Sequence, residues 1–587
     1  MNYTLNKEEK NKEKEAGLLE TLEKIKPLLS EEKKPLFKGL GLIIISSLLN
    51  LLSPIVIGVT IDTYIQNKDF DGVIKSGVFL LVIYLIALLT SYLQTKIMGS
   101  VGQRTIFNLR NKLFLKIQEL PIDFFNQNKA GDLISRINND TSKLNQFFSQ
   151  SLMQFLGNIF IMFGSGIFIL IINFKMGLLA IIPAFFILVF NKFYSPYVKR
   201  KNAESLISTG NLSSEIQESL NNFKVIVAFN RRDYFRERFN EVNVDNFNKA
   251  LSNGIAGSIF NPLYTFTYNI AQIAVLYYGV YLASKGNFSI GFLISFLSYT
   301  NRFYDPIRQI AGIWPSFQMA VAGWERISEI LSLESNLLIC NANNISDKKA
   351  VLEFKNVSFG YSQEKMVLKN INFNLEKGKT YALIGPTGGG KTTTANLMVR
   401  LYDPTEGSVF LHGKDIKCFS VEERADKIGF ILQDPFLFSG TVKENILYGN
   451  KEYQNYSNEK LKELIIESDL EELINKFDKG LDTEISTNSD SISLGQKQII
   501  AFIRAVLRKP EIIILDEATA NIDTVTEQLL ETIIKKLPKE TIKVIIAHRL
   551  NTINSADKIF FVNSGEINLA NSLEDAVSML STKKRES

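Results

Sequence analysis

Between Gly77 and Thr95 the chain carries no charged residue. A stretch of that length, about 20 apolar residues, is what a helix needs to cross the hydrocarbon core of a bilayer. Inside lipid no water can satisfy backbone N–H and C=O groups, so such a stretch is forced to be helical. Five more apolar segments surround it: Gly39–Ile61, with Asn50 and Pro54 inside, Leu152–Phe174, Met176–Val189, Leu251–Ser284 and Gly286–Asn301. The last is the weakest and runs into Arg302, Asp305 and Arg308. Buried helices of a soluble core are the bland reading, and six of them are too many for a core of this size. The first half is therefore expected to be an α-helical membrane domain of six spans.

The basic residues between the segments set an orientation. Lys96, Arg104, Arg110, Lys112, Lys116, Lys129, Arg136 and Lys143 fall between the second and third segments, and Lys199 to Lys249 supply a second basic stretch between the fourth and fifth. The first, third and fifth connections hold only Lys68 and Lys75, Lys175, and Lys285. The basic side belongs inside, which puts both termini in the cytoplasm of a multi-pass protein of the cell membrane. Apolar residues recur at helical spacing over Val101–Leu120 and Ala203–Phe239. Helices two to five are thus expected to extend into the cytoplasm, with tips at Phe124–Asp132 and Glu218–Phe229. Residues 1–34, rich in Lys and Glu, read as a solvated arm rather than a signal peptide.

After a polar, turn-rich linker over 333–350 the pattern becomes short strands alternating with helices, an α/β nucleotide-binding domain over 351–587 with a mostly parallel sheet. Its centre is Leu383-Ile-Gly-Pro-Thr-Gly-Gly-Gly-Lys-Thr-Thr393, which fits G-x-x-x-x-G-K-[ST]. The strand Thr380–Ile384 precedes it, and a helix over Thr393–Leu401 follows. Gly385, Pro386, Thr387, Gly388, Gly389, Gly390, Lys391, Thr392 and Thr393 can wrap a phosphate chain in backbone N–H groups, aided by the helix N-terminus. Lys391 reaches the outer phosphates and the Thr392 hydroxyl can hold Mg²⁺. Glu511-Ile-Ile-Ile-Leu-Asp-Glu517 is a buried strand ending in two acids. Asp516 is placed to hold Mg²⁺ and Glu517 to polarise the attacking water. His548 ends another apolar strand, where a γ-phosphate contact is needed. Ser493 and Gly495 open a helix and make a second anion-binding tip, a weak signal alone because Ser is a common N-cap.

Taken together these motifs resemble the ATP-binding cassette family, and the resemblance covers nearly the whole chain. Tyr361, in Phe359-Gly-Tyr-Ser, matches its adenine-stacking aromatic, and Gln433 its Q-loop. Ile492-Ser-Leu-Gly-Gln496 is similar to the signature, in which Ser493, Gly495 and Gln496 are kept while Ile492 and Leu494 depart from the usual residues. Asn521–Asp523 matches the D-loop and His548 the switch histidine. The membrane half looks like that of subfamily B, or type IV, exporters, whose cytoplasmic tips are coupling helices seated in grooves on the ATP-binding domains. The segment Thr483–Ser489 lacks the family's Gly and second Glu.

The resemblance implies ATP and Mg²⁺ as cofactors. Glu517, His548 and Gln433 would be its catalytic residues, and Thr392, Gln433 and Asp516 would surround the metal. It also implies a second half-transporter chain as partner, identical or homologous. It implies transport of a small hydrophobic or amphipathic substrate such as a drug, lipid or peptide. An importer built on the same fold and an ATP-gated channel are the alternatives; a soluble cassette protein is disfavoured by the spans. The net charge of +5 gives no reason to expect nucleic acid. Two cysteines, Cys340 and Cys418, and two histidines exclude a disulfide scaffold and a multi-His metal centre.

Overall fold

The computed structural model describes residues 3–5, 32–334, 339, 350–362, 365–433, 435–486, 492–516, 524–546 and 556–570, with 572, 574–575 and 578–579 of the C-terminal tail. They fall into two compact units, one of residues 5–118 and 129–332, the other of residues 1–4, 119–128 and 333–587.

The first unit is helical. Its main helices are α1 (Lys33–Thr60), α2 (Phe70–Glu119), α6 (Leu152–Ile172), α7 (Phe174–Asn221), α9 (Arg232–Ser258), α10 (Phe260–Ser284) and α11 (Ile290–Ser332). Short α4 (Ala130–Ser135) and α5 (Thr141–Gln146) lead into α6 through π turns, and α8 (Phe223–Ala228) joins α7 to α9. Beyond the apolar segments the helices run on, α2 to Glu119 and α7 to Asn221, and α9 (Arg232–Ser258) precedes α10. A single extended residue, Asn173, separates α6 from α7, and its side chain caps α7 by accepting from the Met176 N–H at 3.1 Å.

Four runs, Lys33–Ile65, Phe70–Glu119, Ala130–Ile172 and Phe174–Asn221, are long and apolar enough to cross a membrane by length and composition. The fifth and sixth expected spans fall short of that measure. Tyr264, Tyr268, Asn269 and Gln272 dilute α10, and Arg302, Asp305 and Arg308 dilute α11. Polar groups of α11 are answered inside the bundle. The Tyr304 hydroxyl donates to the Ala180 carbonyl at 2.9 Å, Ser295 Oγ to the Pro54 carbonyl at 2.6 Å, and Arg302 to Ser53 Oγ at 2.9 Å. Helices α1 and α11 approach so closely that a Cβ on Gly291 would lie 2.1 Å from the Gly58 carbonyl oxygen. Small residues permit that crossing. Just beyond it Asp62 accepts from the Gly291 N–H at 2.8 Å and from the Ser289 hydroxyl, tying α1 to the start of α11.

Near the basic end of the unit, Arg136 is fully buried. Its guanidinium donates to Asp132 at 2.9 Å, Glu329 at 2.7 Å and the Arg326 carbonyl at 2.6 Å. Arg326 pairs in turn with Asp132 and Asp140. A planar five-donor group can satisfy three acceptors at once, which an ammonium cannot do in fixed geometry.

The second unit carries two main sheets. The antiparallel one has the order β2 (Leu368–Leu375), β1 (Leu352–Phe359), β4 (Glu406–Leu411), β5 (Lys414–Asp415). The larger has the order β12 (Glu566–Ala570), β11 (Lys558–Asn563), β3 (Thr380–Ile384), β10 (Ile542–Ile546), β9 (Ile512–Asp516), β6 (Ile428–Ile431), with only β12 antiparallel. Strands β3, β9 and β10 are almost continuously apolar because both faces are covered. One face meets α12 (Lys391–Met398) and strands β1, β2 and β4, the other α17 (Leu494–Val506) and α18 (Thr524–Lys536). The helix after the phosphate loop is shorter than expected, ending at Met398.

The short helix α3 (Ile122–Gln127) belongs to this second unit. Ile122 packs on the sheet core, and the Asn126 amide donates to the Tyr402 hydroxyl at 2.7 Å. Residue Tyr3 corrects the expectation of a solvated arm where that arm is described. It is 2% exposed. Its N–H donates to Gln127 Oε1 at 2.8 Å, its carbonyl accepts from Asn128 at 2.9 Å, and its hydroxyl donates to the Glu334 carbonyl at 3.0 Å. The aromatic ring carries a large apolar area to bury and a hydroxyl that needs a partner when it does.

Candidate nucleotide site

The C-terminal ends of four parallel strands lie level. Ile431 pairs with Leu515, Asp516 with Ile546, and Ile546 with Leu383. Whatever follows each strand therefore gathers at one edge, the position at which open α/β sheets hold ligands. Gly385 follows β3, Gln433 follows β6 by one residue, and Asp516 ends β9.

The loop after β3 is glycine-rich for steric reasons. Gly385 has φ +147°, and a Cβ there would lie 2.0 Å from the Val562 carbonyl oxygen. Gly390 has φ +112°, a conformation L side chains rarely adopt, and caps the start of α12. Thr387 and Gly388 form the exposed outer turn. Lys391 is 6% exposed and folds under the loop, its ammonium donating to the Gly385 and Pro386 carbonyls at 3.0 and 3.1 Å. The Thr392 hydroxyl donates to Asp516 Oδ1 at 3.4 Å. Asp516 itself is 2% exposed. The geometry joins two motifs separated by more than a hundred residues.

Tyr361 reaches the same loop from the end of β1. Its hydroxyl lies 3.1 Å from Thr393 Oγ1. Phe359 and Tyr402 meet its ring at 5.0 and 5.2 Å, both nearly perpendicular. Those edge contacts fix the ring plane, and the ring remains 44% exposed. Burial pushes the Tyr402 hydroxyl up to about 12, so it stays protonated. Tyr402 is the residue that sequence reading missed. Its only local mark is an aromatic before Asp403-Pro404, where the chain leaves α12.

At the signature, Ser493 is the N-cap of α17. It accepts from the Gln496 N–H at 3.2 Å, while Gln496 Oε1 accepts from the Ser493 N–H at 3.0 Å. This reciprocal box fixes the helix start. Both readings of Ser493 thus meet at one place, since a capped helix start still points its N-terminal end outward. Leu494 is 37% exposed beside it. Glu517, His548, Asn521–Asp523 and residues 487–491 lie outside the described residues. The sequence alone places Glu517 directly after Asp516 and His548 two residues beyond β10.

Next to the Q-loop is an apolar groove of about 250 Å³ lined by Leu432, Phe436, Phe438, Tyr448 and Arg504. Arg504 lies over the Tyr448 ring, 5.4 Å from its centroid, and donates to the Asn445 carbonyl at 2.7 Å.

A phosphate loop, a strand-end aspartate and a capped signature helix, fused to long apolar helices, define a membrane-bound ATPase coupled to transport. Comparisons with known proteins agree. The model of the ABC transporter transmembrane region matches residues 36–307, and that described as ABC transporter matches residues 368–520. The ABC transporter ATP-binding protein YfiC of Bacillus subtilis is 35% identical over 556 residues, covering 93% of this chain and 90% of the relative. A fatty acid ABC transporter ATP-binding/permease protein of Mycobacterium bovis is 31% identical, covering 86% and 79%. An ATP-dependent lipid A-core flippase of Syntrophus aciditrophicus is 30% identical, covering 83% and 81%. The chain belongs to the ABC transporter family, and its fused permease and ATP-binding regions give it the architecture of a half-transporter, which implies a dimer.

Proposed function

We propose that this chain is one half of an exporter of the cytoplasmic membrane, which moves a hydrophobic or amphipathic molecule outward by alternating access. The observation that carries the reading is the meeting of Lys391, Thr392, Thr393, Asp516 and Tyr361 at one sheet edge, in a chain that also carries long apolar helices. In it, Tyr361 stacks on adenine and the loop Gly385–Thr393 wraps the phosphates. Lys391 exchanges loop carbonyls for phosphate oxygens. The Thr392 hydroxyl and Asp516 carboxylate are hard oxygen donors 3.4 Å apart, and they suit Mg²⁺. With Gln433 they would hold that ion, whose charge offsets charge on the transferring phosphoryl group. Glu517 accepts a proton from the attacking water, and His548 contacts the γ-phosphate.

Ser493, Gly495 and Gln496 then close over the phosphates bound by the other chain. ATP favours the closed dimer and hydrolysis reopens it, a shift between two states by differential affinity. The exposed apolar tip formed by Leu220, Phe223, Val225 and Phe229 fits a groove of the kind beside Gln433, on a second chain. The partner is a second copy or a homologue; expression of this chain alone separates them. Full transport by the single chain establishes the homodimer, and activity restored only by a homologue establishes the heterodimer.

The direct test is Glu517→Gln in the purified dimer. ATP binding stays at the parent level while hydrolysis falls by a factor on the order of 10²–10⁴, the usual loss for a general base. Hydrolysis at the parent rate would remove Glu517 from the chemistry. Inside-out vesicles given ATP in the external medium then separate export from import by the direction in which substrate accumulates.

A further inference from the structure

We infer that the cavity between α1, α2 and α6 is a binding site for the uncharged, hydrogen-bonding head group of an amphiphile. The inference rests on the exporter reading and names the substrate class for it. The cavity measures about 460 Å³, within the range of about 300–1,000 Å³ found for small-molecule sites. It lies near the basic end of three apolar helices. Its α1 wall, Ile43 to Asn50, follows Lys33, Lys34 and Lys38; on α2, Gln94 precedes Lys96; on the α6 side, Gln150 and Gln154 follow Lys143. Basic ends mark the cytoplasmic side, so the cavity sits at the level of the inner leaflet.

Its chemistry is unusual for a membrane bundle. No lining side chain is charged, and Ser47, Asn50, Gln94, Gln150, Gln154 and Asn158 are among those that line it. Asn50 spends its amide on the Ser46 carbonyl at 2.9 Å. Asn158 is 7% exposed, and its Nδ2 has no hydrogen-bond partner among the described residues. The carboxamides of Gln94, Gln150 and Gln154 likewise make no side-chain hydrogen bond among the described residues. By contrast Ser295, Tyr304 and Thr267, on α10 and α11, are answered by backbone carbonyls. A polar group left unanswered at membrane depth is costly and marks function.

Carboxamides offer two donors and one acceptor each. They match a head that both donates and accepts, such as a sugar or an amide. A carboxylate or ammonium would enter a site with no counter-charge, which is unfavourable. Ile43, Met98, Met153 and Ile161 complete the wall and suit the first methylenes of an alkyl chain.

The test uses the full-length transporter in lipid nanodiscs with a photoreactive dodecyl glucoside, dodecanoate and dodecyltrimethylammonium. Saturable labelling by the glucoside within 43–50, 94–98 or 150–161, displaced by excess unlabelled glucoside but by neither charged probe, is the expected result. Asn158→Leu and, separately, Gln154→Leu raise the concentration for half-maximal labelling about tenfold per variant, the loss expected for one or two hydrogen bonds. Both variants unfold thermally with the parent, which separates loss of the site from loss of the fold. Labelling equal in parent and both variants overturns the inference, as does equal competition by dodecanoate; the cavity then holds water only. Labelling needs no hydrolysis. An inactive ATPase that still labels as expected would therefore sink the exporter reading and leave the site, whereas an active one with no labelling would do the reverse.

Discussion

Asn126 donates its amide hydrogen to the Tyr402 hydroxyl at 2.7 Å, and the Tyr402 ring meets Tyr361 edge-on at 5.2 Å. Tyr361 in turn touches Thr393 of the phosphate loop. Four residues thus link the helix Ile122–Gln127 to the loop proposed to hold ATP, with one hydroxyl as the joint. Tyr402→Phe keeps the ring contacts and removes that joint. A hydrogen bond of about 1 kcal/mol corresponds to roughly fivefold in an equilibrium. Substrate transported per ATP should fall by about that factor while the ATP Kd holds. A parent-like ratio would show the bond idle.

Tyr361→Ala should raise the ATP Kd by about tenfold or more, since aromatic stacking on a base is worth about 1–3 kcal/mol. Tyr361→Phe keeps the face and loses only the contact with Thr393, so it should stay within about threefold. Equilibrium binding of a fluorescent ATP analogue to both variants decides it. Equal affinity of parent and Ala variant would take Tyr361 out of the site.

Arg136→Ala removes a fully buried guanidinium and leaves Asp132 and Glu329 without it. Those carboxylates are half-exposed, so solvent screens part of the loss. The cost should be about 2 kcal/mol, less than for a pair buried on both sides. Arg136→Lys should not restore stability, because the acceptors surround two separate nitrogens, Nε and Nη1, and one ammonium cannot sit at both. Thermal unfolding of the purified variants in detergent reads both; a rescue by Lys would mean that charge alone matters.

Two lysines, Lys379 and Lys558, hold the Glu376 carboxyl down at about 2 from its ordinary 4.5 through hydrogen bonds. A depressed carboxylate contributes stability that is full above the unfolded value and is lost as pH falls through the folded one. The contribution should therefore fade between about pH 4.5 and 2. Glu376→Gln should flatten the acid limb of unfolding in that window and leave neutral pH nearly unchanged. High salt should shrink the effect, since the group is at the surface. An unchanged acid limb in the variant would assign the acid loss to other carboxylates.

Much of the ATP site was legible because its motifs are local. Gly385–Thr392 is a spacing within one turn and one helix, and the strand ending in Asp516 is an apolar run with an acid at its end. The spans were legible for the same reason, though not all equally. Helix α11 falls short by composition, and only the fold shows its Tyr304, Ser295 and Arg302 satisfied by α7 and α1. Tyr3 ran the other way. It precedes a charged run that begins at Lys7, and only the fold places Gln127 and Glu334 around it.

By itself the sequence determined that this protein crosses a membrane and carries a phosphate loop, because backbone groups in lipid and phosphates in a glycine-rich turn each demand a fixed local pattern. Tertiary structure alone decided which other residues meet across the chain: Tyr361 with Tyr402, Arg136 with Glu329, and unpartnered Asn158 with an uncharged cavity. Those pairings come from parallel strand register and helix crossing, and both are set by packing between segments whose separation along the chain carries no local signal.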